Sequence, residues 1–244
     1  MTYCLAISVN KGLVFASDSR TNAGVDYVTT YSKMHSFVWP AERLCVLLTA
    51  GNLATSQAVV NALNTDLEEP GGHFSLRKGK HLHEVAHYVG RISQREQAQH
   101  ASAMKQSGTS VEASFILGGQ IAGQPPEIFL IYPQGNHISA SPETPYLQIG
   151  ENKYGKPILD RIITPETSLE DAARCALVSL DSTIRSNISV GPPVELCLHT
   201  AGSIVAPYHT RLTLSSPMYK TLYKSWNEGL RQAFASLPRF DWEQ

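Results

Sequence analysis

Thr2 is the first residue of the chain whose side chain could act as a nucleophile, and it directly follows Met1. A side chain this small normally permits removal of an initiator methionine, so we expect processing to expose Thr2. An N-terminal threonine carries a hydroxyl and a free α-amine, whose pKa of about 7.7–8.0 lets it accept the hydroxyl proton directly or through water. Such a residue can attack a carbonyl carbon without a distant histidine base.

A second candidate site is the motif HEVAH, in which His83 and His87 lie one helical turn apart with Glu84 between them. Two histidines at this spacing can share a zinc ion, and the glutamate can serve as general base for a bound water. A catalytic zinc needs a third protein ligand, and the extended motif has Ser93 where a third histidine is expected, with Glu96 and Glu112 as substitutes. The alternative is an amphipathic helix whose histidines lie on an exposed flank, and we assign no metal to the chain.

Three segments, residues 12–20 (GLVFASDSR), 31–33 (YSK) and 49–51 (TAG), resemble the β-subunit pattern of proteasome-type threonine peptidases. Those enzymes are Ntn hydrolases, which use the N-terminal residue as nucleophile and need no metal or organic cofactor. The resemblance therefore implies an N-terminal threonine endopeptidase of one domain, residues 1–244, acting on peptides or unfolded proteins. It also implies a homo-oligomer, either a ring or a helical assembly.

The resemblance assigns catalytic roles to Asp18, Lys33 and Gly51. A lysine beside the threonine hydroxyl stabilises a developing alkoxide and lowers the pKa of the neighbouring amine, and Asp18 would hold that lysine in place. The Gly51 N–H would stabilise the oxyanion, a contribution typically worth about 10²-fold in rate. The same residues could instead be a surface ion pair and a turn glycine.

Two later segments, residues 150–160 and 182–193, resemble a bacterial branch of this family in which the methionine directly precedes the threonine. Ser186 and Ser189 are the expected supports of the amine there. The proteasome pattern has a serine where this chain has Glu151 and an aspartate where it has Ser186, so the network around the amine is altered. Thr21, His35 and Thr49 are the predicted substrate-binding residues.

Hydrophobic periodicity places these residues on an α+β framework. Residues 2–8 and 13–16 form a predicted hairpin, 27–31 and 44–49 predict strands, and helices are predicted over 53–69 and from Leu82 to about Ala101. Strands are predicted at 111–117, 127–132 and 137–141, with Gly118–Gly119 as a turn. A helix capped by Thr167–Ser168, two closing strands and a helix over 219–235 follow. This order predicts a four-layer αββα sandwich.

Composition excludes several classes of function. The 20 basic and 21 acidic residues give a net charge of −1, which leaves no excess charge for nucleic acid. No apolar run approaches the roughly 20 residues of a membrane helix, and no signal-peptide pattern is present. Four isolated cysteines without CxxC spacing indicate reduced thiols, so we expect a cytoplasmic protein. A proteasome-like subunit with a vestigial site is a third hypothesis.

Overall fold

The structure, a computed structural model, describes residues 1–22, 28–68, 74–106 and 108–243. The strands are β1 (Tyr3–Val9), β2 (Gly12–Asp18), β3 (Arg20–Asn22), β4 (Val28–Thr30), β5 (Met34–Trp39), β6 (Arg43–Gly51), β7 (Ala113–Ile121), β8 (Glu127–Ile131), β9 (His137–Ser139), β10 (Tyr146–Gly150), β11 (Val194–Thr200) and β12 (Tyr208–Leu212). The helices are α1 (Leu53–Glu68), α2 (Leu82–Gln106), α3 (Lys156–Ile162), α4 (Leu169–Ser186) and α5 (Pro217–Ala235). None of these described helices is long and apolar enough to cross a membrane.

Two five-stranded antiparallel sheets form the centre of the fold. The first has the order β10-β1-β2-β11-β12, the second has the order β5-β6-β7-β8-β9, and β3 and β4 form a separate hairpin. One apolar cluster fills the space between the two sheets, another lies between the first sheet and α3, α4 and α5, and a third lies between the second sheet and α1 and α2. The predicted αββα sandwich is therefore confirmed.

Strand β1 shows why the central strands are nearly continuously apolar. Its side chains alternate in direction, so that Leu5 and Ile7 contact the α4 layer while Cys4 and Ala6 contact the opposite sheet. A strand covered on both faces must be apolar at consecutive positions. This pattern made β1, β2 and β6 predictable from the sequence.

The predicted turn at Gly118–Gly119 is wrong, because both glycines lie within β7 opposite β6. A Cβ atom on Gly118 would lie 2.5 Å from the Phe15 ring, and one on Gly119 would lie 2.0 Å from the Leu44 carbonyl oxygen. The glycines therefore permit close packing of β7 against the facing sheet and against its neighbour. Strands β3, β5 and β10 and helix α3 were not predicted. The predicted strand at 27–31 begins outside the described residues and continues as β4.

Helix α4 begins where the sequence predicts. Ser168 is its N-cap residue, and the Ser168 Oγ accepts a hydrogen bond from the Asp171 N–H at 3.1 Å. Its buried face includes Ala172, Ala176 and Leu180, which pack against the first sheet. All four cysteines of the chain are buried and free.

Candidate active site

Thr2 lies at the start of β1, beside the end of β10. Its carbonyl oxygen accepts a hydrogen bond from the Glu151 N–H at 2.7 Å, next to the β1–β10 pair Tyr3 and Gly150. Gly150 has a φ of +84°, and a Cβ atom there would lie 1.9 Å from the Thr2 carbonyl oxygen. Glycine is therefore required for the backbone of β10 to approach Thr2 this closely.

Asp18 lies at the end of β2, where its side chain is fully buried. Its Oδ1 accepts from the Tyr3 N–H at 3.0 Å, and its Oδ2 accepts from the N–H groups of Arg20 at 3.2 Å and Gly191 at 3.0 Å. The carboxylate thus fixes the residue after Thr2 and receives the compensation that a buried charge needs.

Lys33 completes this network from the segment before β5. Its Nζ donates to Asp18 Oδ1 and to the Arg20 carbonyl oxygen, each at 2.6 Å, and the residue is only 4% exposed. An exposed ion pair would contribute about 0–1 kcal/mol and would leave the lysine mobile. Burial excludes the surface-pair alternative and holds the ammonium group in one place.

Gly51 lies where β6 gives way to α1. Its φ is +103°, and a Cβ atom there would lie 2.4 Å from the Glu112 carbonyl oxygen. The next residue, Asn52, accepts a hydrogen bond from the Thr55 N–H at 3.1 Å through Oδ1, as a helix N-cap does. The left-handed backbone at Gly51 therefore connects the strand directly to the capped first turn of α1.

A cavity of about 260 Å³ connects these elements. Its lining includes Thr2, Thr21, Lys33, Thr49 and Gly51, together with Met1. Five of the residues predicted from sequence thus share one cavity, and Asp18 supports it through its bond to Lys33. An arrangement of nucleophile, fixed cation and adjoining backbone at a cavity is what acyl transfer requires.

Three other predicted site residues lie outside the lining of this cavity. His35 is on β5, on the face that carries Phe37 and Trp39 toward the α1 and α2 layer, and partial burial lowers the pKa of its imidazole. Ser186 is the exposed last residue of α4. Ser189 is in the following loop, where its N–H donates to Asn187 Oδ1 at 2.9 Å.

The amine beside the cavity is that of Met1, because Met1 precedes Thr2 in the structure. Burial is the largest influence on this amine and lowers its pKa, and the positive charge of Lys33 acts in the same direction. The negative charges of Asp18 and Glu151 oppose this shift. Burial and these three charged side chains together set the pKa of an amine at this end of β1.

Glu151 and Asn187 are residues near the amine to which the sequence analysis gave no role. The Glu151 residue is 5% exposed, and its Oε2 accepts a hydrogen bond from Asn187 Nδ2 at 3.0 Å. Lys153 Nζ lies 3.8 Å from Glu151 Oε1. The sequence shows that Glu151 stands where the proteasome pattern has a serine. It does not show that the Glu151 side chain contacts the loop after α4.

The HEVAH motif lies on α2, in the layer outside the second sheet. His83, Glu84 and His87 line a separate cavity of about 480 Å³ with Phe74 and His137. Glu84 accepts a hydrogen bond from the Lys80 N–H at 2.8 Å, which satisfies a backbone donor before the start of α2.

The candidates for a third zinc ligand are in other environments. Ser93 is fully buried and accepts a hydrogen bond from Gln97, while Glu96 pairs with Arg95 at 2.9 Å. The backbone carbonyl of Glu112 accepts from the Asn52 N–H beside the first cavity. Within the described ranges, no three His, Cys, Asp or Glu residues are grouped so that they could hold a metal ion.

Two antiparallel sheets between helical layers, with Thr2 and Lys33 at one cavity, define a subunit of the proteasome type. A family model described as proteasome subunit matches residues 2–198. None of the curated proteins compared with the chain matches it.

Solved structures give a more specific result. Anbu (ancestral beta-subunit) from Yersinia bercovieri is 41% identical, with a TM-score of 0.92 over 98% of this chain and 99% of that one. A structure described as the helical assembly of the Anbu complex from Pseudomonas aeruginosa is 46% identical, with a TM-score of 0.92 over 98% of each chain. Anbu from Hyphomicrobium sp. strain MC1 is 40% identical, with a TM-score of 0.88 over 98% and 99%. The chain belongs to the proteasome subunit family and, within it, to the Anbu group.

Proposed function

We propose that this protein is an N-terminal threonine peptidase in which Thr2 becomes the nucleophile after removal of Met1. The observation that carries the proposal is the buried Lys33 ammonium group, held by Asp18 at the cavity that Thr2 and Gly51 also line. A buried lysine paired in this way is a fixed positive charge beside the nucleophile, which is where a threonine hydroxyl needs electrostatic help. Membership of the proteasome family supports the same assignment.

The proposed reaction is amide hydrolysis in two steps. Thr2 Oγ attacks the peptide carbonyl while its own α-amine takes the hydroxyl proton, and the Gly51 N–H stabilises the oxyanion. The C–N bond then breaks, the proton passes to the leaving amine, and an ester to Thr2 remains. A water molecule attacks this ester, and the acid product leaves as Thr2 Oγ regains a proton. The chain's own groups supply each proton transfer, and no step uses a metal.

Substrate contacts are assigned to Thr21 and Thr49, which line the cavity. His35 is not among the residues that line the cavity, and we assign it no contact. Ser186 and Ser189 are in or beside the loop that carries Asn187, and they take no step in the proposed reaction. The substrate class is peptides or unfolded proteins in the cytoplasm.

Self-assembly is the second part of the proposal. One solved relative, from Pseudomonas aeruginosa, is described as a helical assembly. The C-terminal part of this chain exposes large apolar side chains that are unusual on a monomer, including Phe234 at 77% and Trp242 at 78%. We propose that copies of the chain associate, so that access to Thr2 is restricted to extended or unfolded substrates.

Covalent labelling with a peptide epoxyketone tests the proposed nucleophile. The hydroxyl of an N-terminal threonine adds to the ketone and the α-amine opens the epoxide, so a ring forms only when both groups belong to one residue. We expect a stoichiometric adduct on the peptide that begins at Thr2, detected by mass spectrometry.

Two variants control this experiment. Thr2→Ser keeps both reactive groups and should be labelled, whereas Thr2→Ala should remain unlabelled and should not hydrolyse peptides. A folded chain that begins at Thr2 and remains unlabelled would contradict the proposal and favour a non-catalytic assembly subunit. A chain that still carries Met1 should not be labelled, because its amine belongs to another residue.

A further inference from the structure

Glu151 is a buried carboxylate close to the first two residues. Its backbone N–H bonds to the Thr2 carbonyl oxygen at 2.7 Å, so its position relative to Thr2 is set by the end of the first sheet. The residue is 5% exposed, and a buried carboxylate must be compensated by hydrogen bonds or positive charge. The described contacts of this side chain are with Asn187 and Lys153.

Asn187 holds the Glu151 carboxylate from the loop that follows α4. Its Nδ2 donates to Glu151 Oε2 at 3.0 Å and also lies 4.0 Å from Met1 Sδ, so the amide contacts both the carboxylate and the first residue. Its Oδ1 accepts from the Ser189 N–H at 2.9 Å, and its own N–H donates to the Thr183 carbonyl oxygen at 2.9 Å. Asn187 is thus fixed on three sides and can orient the carboxylate.

We propose that Glu151, anchored by Asn187, is a positioning residue that acts as the counter-ion of the chain's N-terminal amine. The inference rests on the proposed function for its catalytic meaning, since the amine is the base of the proposed reaction. The placement of Glu151 beside the first two residues does not depend on that function. A glutamate here replaces the serine of the proteasome pattern, so this site controls its amine by charge.

The charges around the amine define what Glu151 does. Burial is the largest influence on the Met1 amine and lowers its pKa, the charge of Lys33 lowers this pKa further, and the charges of Asp18 and Glu151 raise it. Asp18 is bonded to Lys33 at 2.6 Å, so those two charges largely offset each other at a distance. Lys153, 73% exposed, is 3.8 Å from Glu151 and is screened by solvent, so it offsets Glu151 only weakly. Glu151 is therefore the unbalanced negative charge, and it favours the protonated amine.

The sign of the effect on the base follows directly. Below its pKa the amine is protonated and cannot accept the Thr2 hydroxyl proton. Glu151 stabilises the protonated form, so it moves the onset of amine basicity to higher pH. Removing the charge while keeping the shape should make the amine a free base at lower pH.

Competitive acylation of the α-amine tests the proposal without requiring peptidase activity. A trace of acetic anhydride is added across a pH series to the chain that begins at Thr2, and the acylated N-terminal peptide is quantified by mass spectrometry. Glu151→Gln keeps the side-chain volume and should shift the acylation curve to lower pH, with a severalfold increase in labelling on its acid side. Asn187→Ala, which releases the carboxylate, should shift it in the same direction.

A matched control is Glu96→Gln, because Glu96 is also a buried glutamate, 8% exposed, but lies on α2. The acylation curve of Glu96→Gln should coincide with that of the unmodified chain. A Glu151→Gln curve that coincides with both would overturn the proposal. The same shift should also appear for a chain that retains Met1, since the charge of Glu151 also raises the pKa of the Met1 amine.

Hydrolysis measured on the same samples separates the two proposals. If Thr2 is the nucleophile, the acid limb of kcat/KM should move to lower pH in Glu151→Gln in parallel with the acylation curve. An acylation shift in a chain without any hydrolysis would support the counter-ion role and contradict the peptidase. Hydrolysis whose acid limb is unshifted in Glu151→Gln would support the peptidase and contradict the counter-ion role.

Discussion

The Lys33 ammonium nitrogen lies 2.6 Å from Asp18 Oδ1, and both side chains are buried. Each Asp18 oxygen accepts two hydrogen bonds, from Lys33 and the Tyr3 N–H at Oδ1 and from the N–H groups of Arg20 and Gly191 at Oδ2. One carboxylate therefore fixes the lysine of the site and the residue that follows the nucleophile. This dual attachment makes Asp18 important for both stability and chemistry.

Asp18→Asn should strongly destabilise the protein. The amide presents one acceptor oxygen to four donors and leaves the buried Lys33 charge without its carboxylate counter-charge, a change that typically costs about 3–5 kcal/mol. Urea denaturation should show this loss, and epoxyketone labelling of Thr2 should fall because Lys33 is no longer fixed. Glu228→Gln is the control, because its pair with Lys224 is exposed at 3.9 Å and should contribute about 0–1 kcal/mol. Equal effects of the two substitutions would contradict the structural role of Asp18.

Gly51→Ala should disrupt the junction between β6 and α1. An alanine would have to adopt a left-handed φ, which costs about 1–2 kcal/mol, and its Cβ would lie 2.4 Å from the Glu112 carbonyl oxygen. The added overlap brings the expected loss to about 3 kcal/mol, measured by denaturation, and the displaced backbone should reduce labelling of Thr2.

The variant Gly123→Ala distinguishes the cost of the backbone conformation from the cost of steric overlap of the added Cβ atom. Gly123 also has a positive φ, +77°, but a Cβ atom there meets nothing within 4 Å. The free energy of unfolding of this variant should fall only by the cost of the left-handed backbone, about 1–2 kcal/mol. Its Thr2 should react normally with the epoxyketone. If it lost as much stability as Gly51→Ala, the contact with Glu112 would not matter.

Thr49 should influence which substrate side chains the cavity accepts. The residue is 5% exposed, and it lines the cavity beside Thr2. Thr49→Leu narrows the cavity, so labelling by an epoxyketone with a large side chain next to the ketone should slow by about 10-fold or more relative to one with a small side chain. Thr49→Ala should favour the large side chain.

His35→Ala is the matched test of the sequence-based assignment of His35. Its side chain is not among those that line the cavity, so the preference between the two epoxyketones should be unchanged. A change in preference as large as that of Thr49→Leu would restore His35 to the substrate site.

Local patterns predicted much of the framework, but not the elements that lack a strong apolar signal. Strands β1 and β2 were predictable because both faces of each strand are covered. Strand β5 was not, since His35 and Ser36 interrupt its apolar residues. Helix α3 has only seven residues, too few to show a helical period. Gly118 and Gly119 suggested a turn because contacts with another sheet leave no local trace in the sequence.

The candidate site could likewise be predicted from the sequence only in part. The order of Thr2, Asp18, Lys33 and Gly51 along the sequence suggested their roles through resemblance to proteasome subunits. Their separation in space depends on strand pairing, which local patterns do not determine. Glu151 reaches Thr2 because β10 pairs with β1, a contact between opposite parts of the chain. Asn187 reaches Glu151 only through the loop after α4, so their hydrogen bond could not be anticipated.

The HEVAH motif should have no part in hydrolysis. Glu84 already accepts a hydrogen bond from the Lys80 N–H, so Glu84→Ala should lower the melting temperature slightly while peptide hydrolysis and Thr2 labelling persist. Glu84→Gln keeps an acceptor oxygen and should restore the melting temperature without affecting hydrolysis. A zinc peptidase would respond differently, because both substitutions remove its general base and a chelator removes its metal. Loss of hydrolysis in Glu84→Gln, together with inhibition by a chelator and unchanged activity in Thr2→Ala, would transfer the active site to α2.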